Sequence, residues 1–449
     1  MDVSVIMAYI ILGTGLFLTV KLRFFQFTHL GRAIRGVFRS GGGSGISPFQ
    51  AMATALGSSI GTANIAGVAG ALTIGGPGAI FWMWIAALFG MATKAAEIIL
   101  AMRFRDTGKS PPVGGPMLYI ERGLGRKARP LALAFALSGI AASLVGTALV
   151  QSNMAAQSAY GMALSLGLPV KRGAVLIAAG LLACALTGAV ILGGARRIGR
   201  FSEKAVPVMA AVYIGAALFA IIARRARLIL ALREIFASAF GVRQLAGGAG
   251  GAAVRSALSV GVARGVYSNE AGTGSSPMAH AGSSQTDPVR QSLMGIFEVF
   301  ADTIVMCSLT ALVILTSDAW TEGGMSGMLL ALYAFGETFG DAAASVFLSA
   351  AVTIFAFTSL VGWSLYGERC AAYVFGERSI PVFRALYLVL IPLGALAGTD
   401  AVWKTGVTLT CLMALPNLAA LLLLSGTAKK EVEHYKMFEK TPRRGYNKG

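Results

Sequence analysis

Charge is what this chain has least of. Only 13% of its 449 residues are charged while 55% are hydrophobic, a balance that a water-soluble chain of this length does not carry. No polar stretch is long enough to build a soluble domain with its own core. Cysteine is scarce too: Cys184, Cys307, Cys370 and Cys411 sit singly in apolar runs without a CxxC spacing, which argues against a disulfide framework or a metal knuckle and leaves buried free thiols. The three histidines, His29, His280 and His434, read as isolated residues in loops or the tail. There is no HExxH, no nucleophile elbow and no phosphate-cradling P-loop. Enzyme chemistry and direct use of ATP both lack a motif, and an ion gradient is the natural alternative.

What is present is a series of apolar runs near the roughly 20 residues needed to cross a bilayer. They read as eleven spans: 3–20, 49–73, 78–103, 131–165, 173–193, 203–224, 251–275, 291–317, 345–376, 381–399 and 402–425. The first has no basic residue before it and no small-residue cleavage pattern, so it reads as a retained helix rather than a signal peptide. One all-α, polytopic membrane domain fills residues 1–449, with 426–449 as a cytoplasmic tail.

The net charge of +18 marks a membrane face rather than a nucleic-acid partner. Most Lys and Arg fall in the loops after Val20, Met102 and Gly194 and at the C-terminus, which places the N-terminus outside and the C-terminus in the cytoplasm. The expected location is the cytoplasmic membrane of a prokaryote. One loop dissents: Arg224, Arg225, Arg227, Arg233 and Arg243 land on the outer side, through either a structured external element, the preferred reading, or a miscounted crossing. The segment 317–341, with Asp318, Glu322, Glu337 and Asp341 among apolar residues, is too charged to cross and reads as an external amphipathic element.

Two polar, glycine-rich stretches interrupt this pattern at bilayer depth: GSSIGTAN at 57–64 and SNEAGTG at 268–274. Lipid cannot satisfy the peptide groups that an unwound helix frees, so such breaks persist only where protein, ions or a polar solute take up the bonds. Setting the first helix aside leaves ten, with the breaks in helices one and six. They occupy equivalent places in two halves of five, 49–224 and 251–425, and an odd number per half makes the halves enter the membrane in opposite directions. A matched pair of interrupted helices points to an inverted-repeat transporter.

In the first break, Gly57 and Gly61 permit torsions that a side chain resists, and Ser58, Ser59, Thr62 and Asn64 supply polar groups. Half-helix N-termini suit a carboxylate, and freed carbonyls suit Na+ or an ammonium group; the alternative is that small residues merely allow close helix packing. Glu270, after Arg264 and Asn269, either binds a cation or the substrate amine or neutralises Arg264. Glu298 and Asp302, four apart on one helix face, would favour a bound cation or a raised pKa, or reach the water interface. Lys94 and Glu97, three apart, are expected to satisfy each other. Thr358 and Ser359 either complete an Na+ shell or bond back to their own helix. Trp363 either walls an apolar pocket or packs in the core.

Several motifs carry a family resemblance: GGPGAIFWMWIAALFG at 75–90, GGPMLYIERGLG at 114–125, RGVYSNEAGTGSSP at 264–277, EVFADTIVMC at 298–307 and FAFTSLVGWSLYGE at 355–368. Long and in order, they make the chain resemble the alanine or glycine:cation symporters, also called sodium:alanine symporters. The resemblance implies a LeuT-like fold of ten core helices in two inverted halves after one extra helix. It implies symport of a small neutral amino acid with Na+, or H+ in some members, and no organic cofactor. It places the amino acid's carboxylate and amine at Gly61, Thr62, Asn64, Asn269, Glu270 and Gly272, its side chain near Gln151 and Trp363, and Ser359 among the substrate-binding residues. Thr358 and Ser359 would join carbonyls of Gly57 and Ser58 around Na+, with Glu298 and Asp302 as coupling or structural carboxylates. Ala63 departs from the family's usual GTGN by a methyl group, and 150–158 around Gln151 matches less closely. Glutamine as substrate, proton coupling, and a channel or non-transporting sensor are the alternatives.

Overall fold

The computed structural model describes residues 3–37, 45–241, 250–322 and 324–440, and these are almost entirely helical. Among them, eight helices are long and apolar enough to cross a membrane, and ten if each of two bent pairs counts as one span. Of the eleven expected spans, 251–275 is helical over Gly250–Asn269, but Gly, Ser, Arg255 and Arg264 dilute its apolar character and it is not among the ten. The long helix Gly78–Arg103 is buried along most of its length and packs against Gly250–Asn269, Pro288–Val299 and Val3–Lys21.

The first bent pair corrects the expectation of a plain basic loop after Val20. The helix Val3–Lys21 turns through 89° at Arg23 and Phe24, both at φ 55°, into an amphipathic helix, Phe25–Val37, whose buried face includes His29. The second bent pair is the first predicted break. Pro48–Ser59 begins with a capping box, in which Ser47 Oγ accepts the Gln50 amide and Gln50 Oε1 accepts the Ser47 amide, both at 3.0 Å; these reciprocal bonds satisfy donors the helix start leaves free. The chain leaves the helix after Ser59, makes a tight turn at Thr62–Asn64 and resumes as Ala66–Gly75, bent by 60°.

Two stretches are wound as π-helix, Ala142–Leu149 and Phe300–Cys307. The second runs through Asp302 and corrects the expectation that Glu298 and Asp302 lie on one helix face. With i→i+5 winding a separation of four residues no longer closes a turn, and the two carboxylates face different groups.

The arginine-rich loop is a structured element. A turn at Arg225–Arg227 leads into the short helix Leu228–Ala239, and ion pairs Arg224–Glu337 at 2.9 Å and Arg227–Asp318 at 2.5 Å join it to Asp318–Glu322 and Gly327–Phe339. Arg243 lies outside the described residues. The tail begins as the helix Ser425–Lys440, tied back by Arg103–Glu431 and Arg23–Glu433, each at 3.2 Å; 441–449 lie outside the described residues.

Candidate functional site

Asn64 organises the first break. In an unbroken α-helix the Gly61 amide would bond the Gly57 carbonyl four residues back; instead it donates to Asn64 Oδ1 at 2.9 Å. That releases the Gly57 carbonyl, which takes a long hydrogen bond from Ser359 Oγ at 3.4 Å. Both glycines allow close approach: a Cβ at Gly57 would lie 2.7 Å from Val206 Cγ2 and 3.4 Å from Thr358 Cβ, where something would have to shift, and one at Gly61 would lie 3.2 Å from Ser359 Oγ and 3.6 Å from Gln151 Nε2. The fold therefore gathers Gly57, Gly61, Gln151, Thr358 and Ser359. Ser359 reaches across to the break, whereas Thr358 Oγ1 bonds back to Phe355 O at 3.0 Å and Ser58 Oγ to Thr54 O at 2.8 Å.

The second break follows Gly250–Asn269. Glu270, at φ 54°, takes a left-handed conformation that non-glycine residues adopt only where surroundings fix it. Those surroundings are visible. Asn269 Oδ1 accepts the Ala271 amide at 3.0 Å while its Nδ2 donates to Thr303 Oγ1 at 3.1 Å. Asn417 Nδ2 donates to the Gly272 carbonyl at 2.9 Å and to Glu97 Oε1 at 2.6 Å, Tyr119 OH donates to Asn417 Oδ1, and the Gly274 amide donates to Glu97 Oε1 at 3.0 Å. The chain then re-forms one turn, Pro277–His280.

Held this way, Glu270 does not pair with Arg264. Its Oε1 accepts Trp363 Nε1 at 2.9 Å and its Oε2 accepts Ser275 Oγ at 2.5 Å. Nor do Lys94 and Glu97 satisfy each other. Lys94 Nζ pairs with Glu298 Oε1 at 3.1 Å, both fully buried, because the helices Gly78–Arg103 and Pro288–Val299 pack together; Glu97 is turned to the second break. His280 is likewise neither isolated nor in an open loop. Its Nε2 meets Glu298 Oε2 at 3.1 Å, which also accepts Ser276 Oγ at 2.9 Å. Gln291 Oε1 accepts Ser283 Oγ at 3.0 Å, so its Nε2 faces His280 Nδ1 at 2.8 Å. That arrangement leaves the imidazole proton on Nε2, aimed at Glu298.

Asp302 joins the two breaks. Its Oδ1 accepts Asn64 Nδ2 at 2.8 Å, and its Oδ2 accepts Ser268 Oγ at 2.6 Å and Thr303 Oγ1 at 2.9 Å. Asn417 belongs to no motif in the sequence, and Ser276 lies in the motif at 264–277 without an expected role; a lone Asn inside the apolar run 402–425 is the available signal for Asn417.

A cavity of about 620 Å³ opens beside the breaks. Of the expected site residues, Ser58, Gly61, Gln151, Glu270 and Trp363 line it, with Ala63 beside them; Gln151 Oε1 is buried there without a hydrogen-bond partner. Thr62, Asn64, Asn269, Gly272, Thr358, Ser359 and Asp302 are buried behind its wall, and Glu298 lies in the Lys94 cluster.

Residues 1–448 match the model of the sodium:alanine symporter family. The chain belongs to that family. A sodium/alanine symporter, AgcS, of Methanococcus maripaludis is 39% identical over 448 residues, covering 97% of this chain and 95% of the relative. An uncharacterized transporter of Haemophilus influenzae is 40% identical over 426 residues, covering 94% and 91%. A probable sodium/glutamine symporter, GlnT, of Bacillus subtilis is 37% identical over 447 residues, covering 98% and 90%. The symporter is therefore a multi-pass membrane transporter, not an enzyme, and its family couples amino-acid transport to a cation. In this symporter the two breaks, the buried acid Asp302 that links them and the cavity beside them lie together.

Proposed function

We propose that this symporter carries a small neutral amino acid, alanine or glycine, inward with Na+ by alternating access. The observation that carries the reading is the hydrogen bond from Trp363 Nε1 to Glu270 Oε1 at 2.9 Å, which sets a carboxylate and an indole together in the cavity wall beside the first break. The substrate ammonium meets Glu270. Its carboxylate meets backbone amides of the first break around Gly61 to Ala63, where Gly61 and Ala63 line the cavity. Its side chain rests against Trp363 and Ala63, with Gln151 closing the pocket. Asn64, Asn269 and Gly272 act by shaping the two breaks, and Asp302 by joining them.

Na+ binds behind this wall, among the Gly57 carbonyl, a neighbouring carbonyl at Ser58, and the hydroxyls of Thr358 and Ser359. A hard monovalent cation prefers such neutral oxygens, and the 3.4 Å separation of Ser359 Oγ from Gly57 O leaves a weak bond for the ion to replace. Linkage then makes Na+ and amino acid tighten each other's binding by the same factor.

Breaks in the first and sixth core helices support a LeuT-like inverted repeat of 49–224 and 251–425 in a prokaryotic cytoplasmic membrane. With the N-terminus outside and the C-terminus inside, as the basic loops favour, the cavity mouth at Ile74, Trp403 and Lys404 faces outward. Glutamine is the second reading, favoured by the cavity volume and by the Bacillus relative's name; the Ala63 methyl favours the smaller solutes. Uptake into proteoliposomes under an imposed Na+ gradient, with unlabelled competitors against alanine, separates them. Alanine uptake indifferent to both Na+ and pH would sink the mechanism, and a channel or sensor would show no accumulation against a gradient.

A further inference from the structure

Two cations line the cavity, Arg264 and Lys404, and Arg264 is the more enclosed of them. Arg264 lines the cavity and is half-buried, and among the described residues its guanidinium makes no hydrogen bond or ion pair. It points toward Gly70 of the first broken helix, where a Cβ would lie 3.8 Å from Nη2. Glu270 is the one acid among the lining residues, and it is engaged by Trp363 and Ser275. An unpaired ionisable group in a membrane-spanning segment that faces a cavity marks a substrate or ion path, and the fork of guanidinium donors matches a carboxylate.

Arg264 also stands apart from Glu270. It lies within the helix Gly250–Asn269, five residues or about 7.5 Å of rise before the helix ends, whereas Glu270 follows that end in a left-handed conformation with its carboxylate held by Trp363 and Ser275. The arginine lies on the mouth side of the acid, with Lys404 and the paired rings of Tyr267 and Trp403, 5.7 Å between centroids.

We propose that Arg264 forms a separate carboxylate-binding subsite toward the mouth of the cavity, which captures the incoming amino acid by its carboxylate before the ammonium reaches Glu270. The subsite rests on the reading above for the identity of its ligand. Two cations near the mouth and one acid deeper in orient a zwitterion ammonium-first, and the field they make raises its local concentration.

Thermal unfolding of the detergent-purified full chain tests this with two half-substrates, propionate, which lacks the ammonium, and ethylamine, which lacks the carboxylate. Propionate is expected to raise the melting temperature of the wild type but not of Arg264→Gln, while ethylamine acts alike on both and so reports that the variant is folded. In proteoliposomes the same variant should raise the KM for alanine about tenfold, the worth of one charge-assisted contact, with the maximal rate kept. Propionate acting equally on wild type and variant overturns the subsite. So does an equal, Arg264-dependent shift given by chloride, which would assign the arginine to inorganic anions. A wild type that accumulates no alanine yet keeps the propionate difference would instead refute the substrate assigned above.

Discussion

Asn64 donates from Nδ2 to Asp302 Oδ1 at 2.8 Å while its own Oδ1 accepts the Gly61 amide at 2.9 Å. One side chain thus breaks the first helix and fastens the break to the buried acid that also holds Ser268 beside the second. Asn64→Ala leaves the Gly61 amide and one Asp302 oxygen without this partner. The expected cost is about 2–6 kcal/mol of stability, from two buried groups at roughly 1–3 kcal/mol each, with Na+-driven uptake lost. Melting temperature and uptake of the purified variant check it; Asn64→Ala with wild-type Na+ dependence would show that the break forms without this bond.

Ser359 and Trp363 lie one turn apart on the helix Asp341–Phe375 but face different partners, Gly57 O and Glu270. Ser359→Ala should raise the Na+ concentration for half-maximal uptake about tenfold, the loss of roughly one ion ligand, with little change in the competitor ranking. Trp363→Phe should alter the ranking and weaken alanine binding with the Na+ requirement little changed. Identical effects from the two substitutions would remove the proposed division between ion and substrate.

Lys94 and Glu298 form a fully buried ion pair. Lys94→Met strands the carboxylate with only Ser276 and His280 for partners, and breaking such a pair costs about 3–5 kcal/mol. Replacing both, Lys94→Met with Glu298→Leu, removes the uncompensated charge and should recover much of that stability. Denaturation of the single and double variants decides the matter: a double variant no more stable than the single would mean that Glu298 acts chiefly through His280 and Ser276.

Ala63 stands in the cavity wall, and its Cβ is close to where a methyl at Gly67 would sit, 3.5 Å away. Ala63→Gly enlarges the site by one methyl, a discrimination of about 1–3 kcal/mol between substrates differing by that volume. Larger neutral amino acids, glutamine among them, should compete more strongly against alanine uptake in this variant. An unchanged competitor ranking would place the solute away from Ala63.

Composition and pattern alone carried much of this. Apolar runs of membrane length, the two glycine-rich interruptions and the lack of enzyme motifs are local properties, and the structure places both breaks where GSSIGTAN and SNEAGTG stand, because glycine and small polar residues permit torsions and bonds that an apolar helix forbids. Even the missed helix Phe25–Val37 had a local signature in its apolar face, hidden by the basic residues on the other.

What sequence spacing could not decide was which charge meets which. Lys94 and Glu97 are three apart and Arg264 and Glu270 six apart in sequence, yet Lys94 chose Glu298, Glu97 chose Asn417 and Gly274, and Glu270 chose Trp363 and Ser275. Ion pairing in a buried core follows the packing of neighbouring helices, and here a π-wound stretch and a left-handed Glu270 redirected the side chains. The sequence by itself determined that the chain crosses a membrane on helices broken in two places; only the tertiary structure decided the partners, because a buried charge is settled by whichever group the fold brings within a few ångströms.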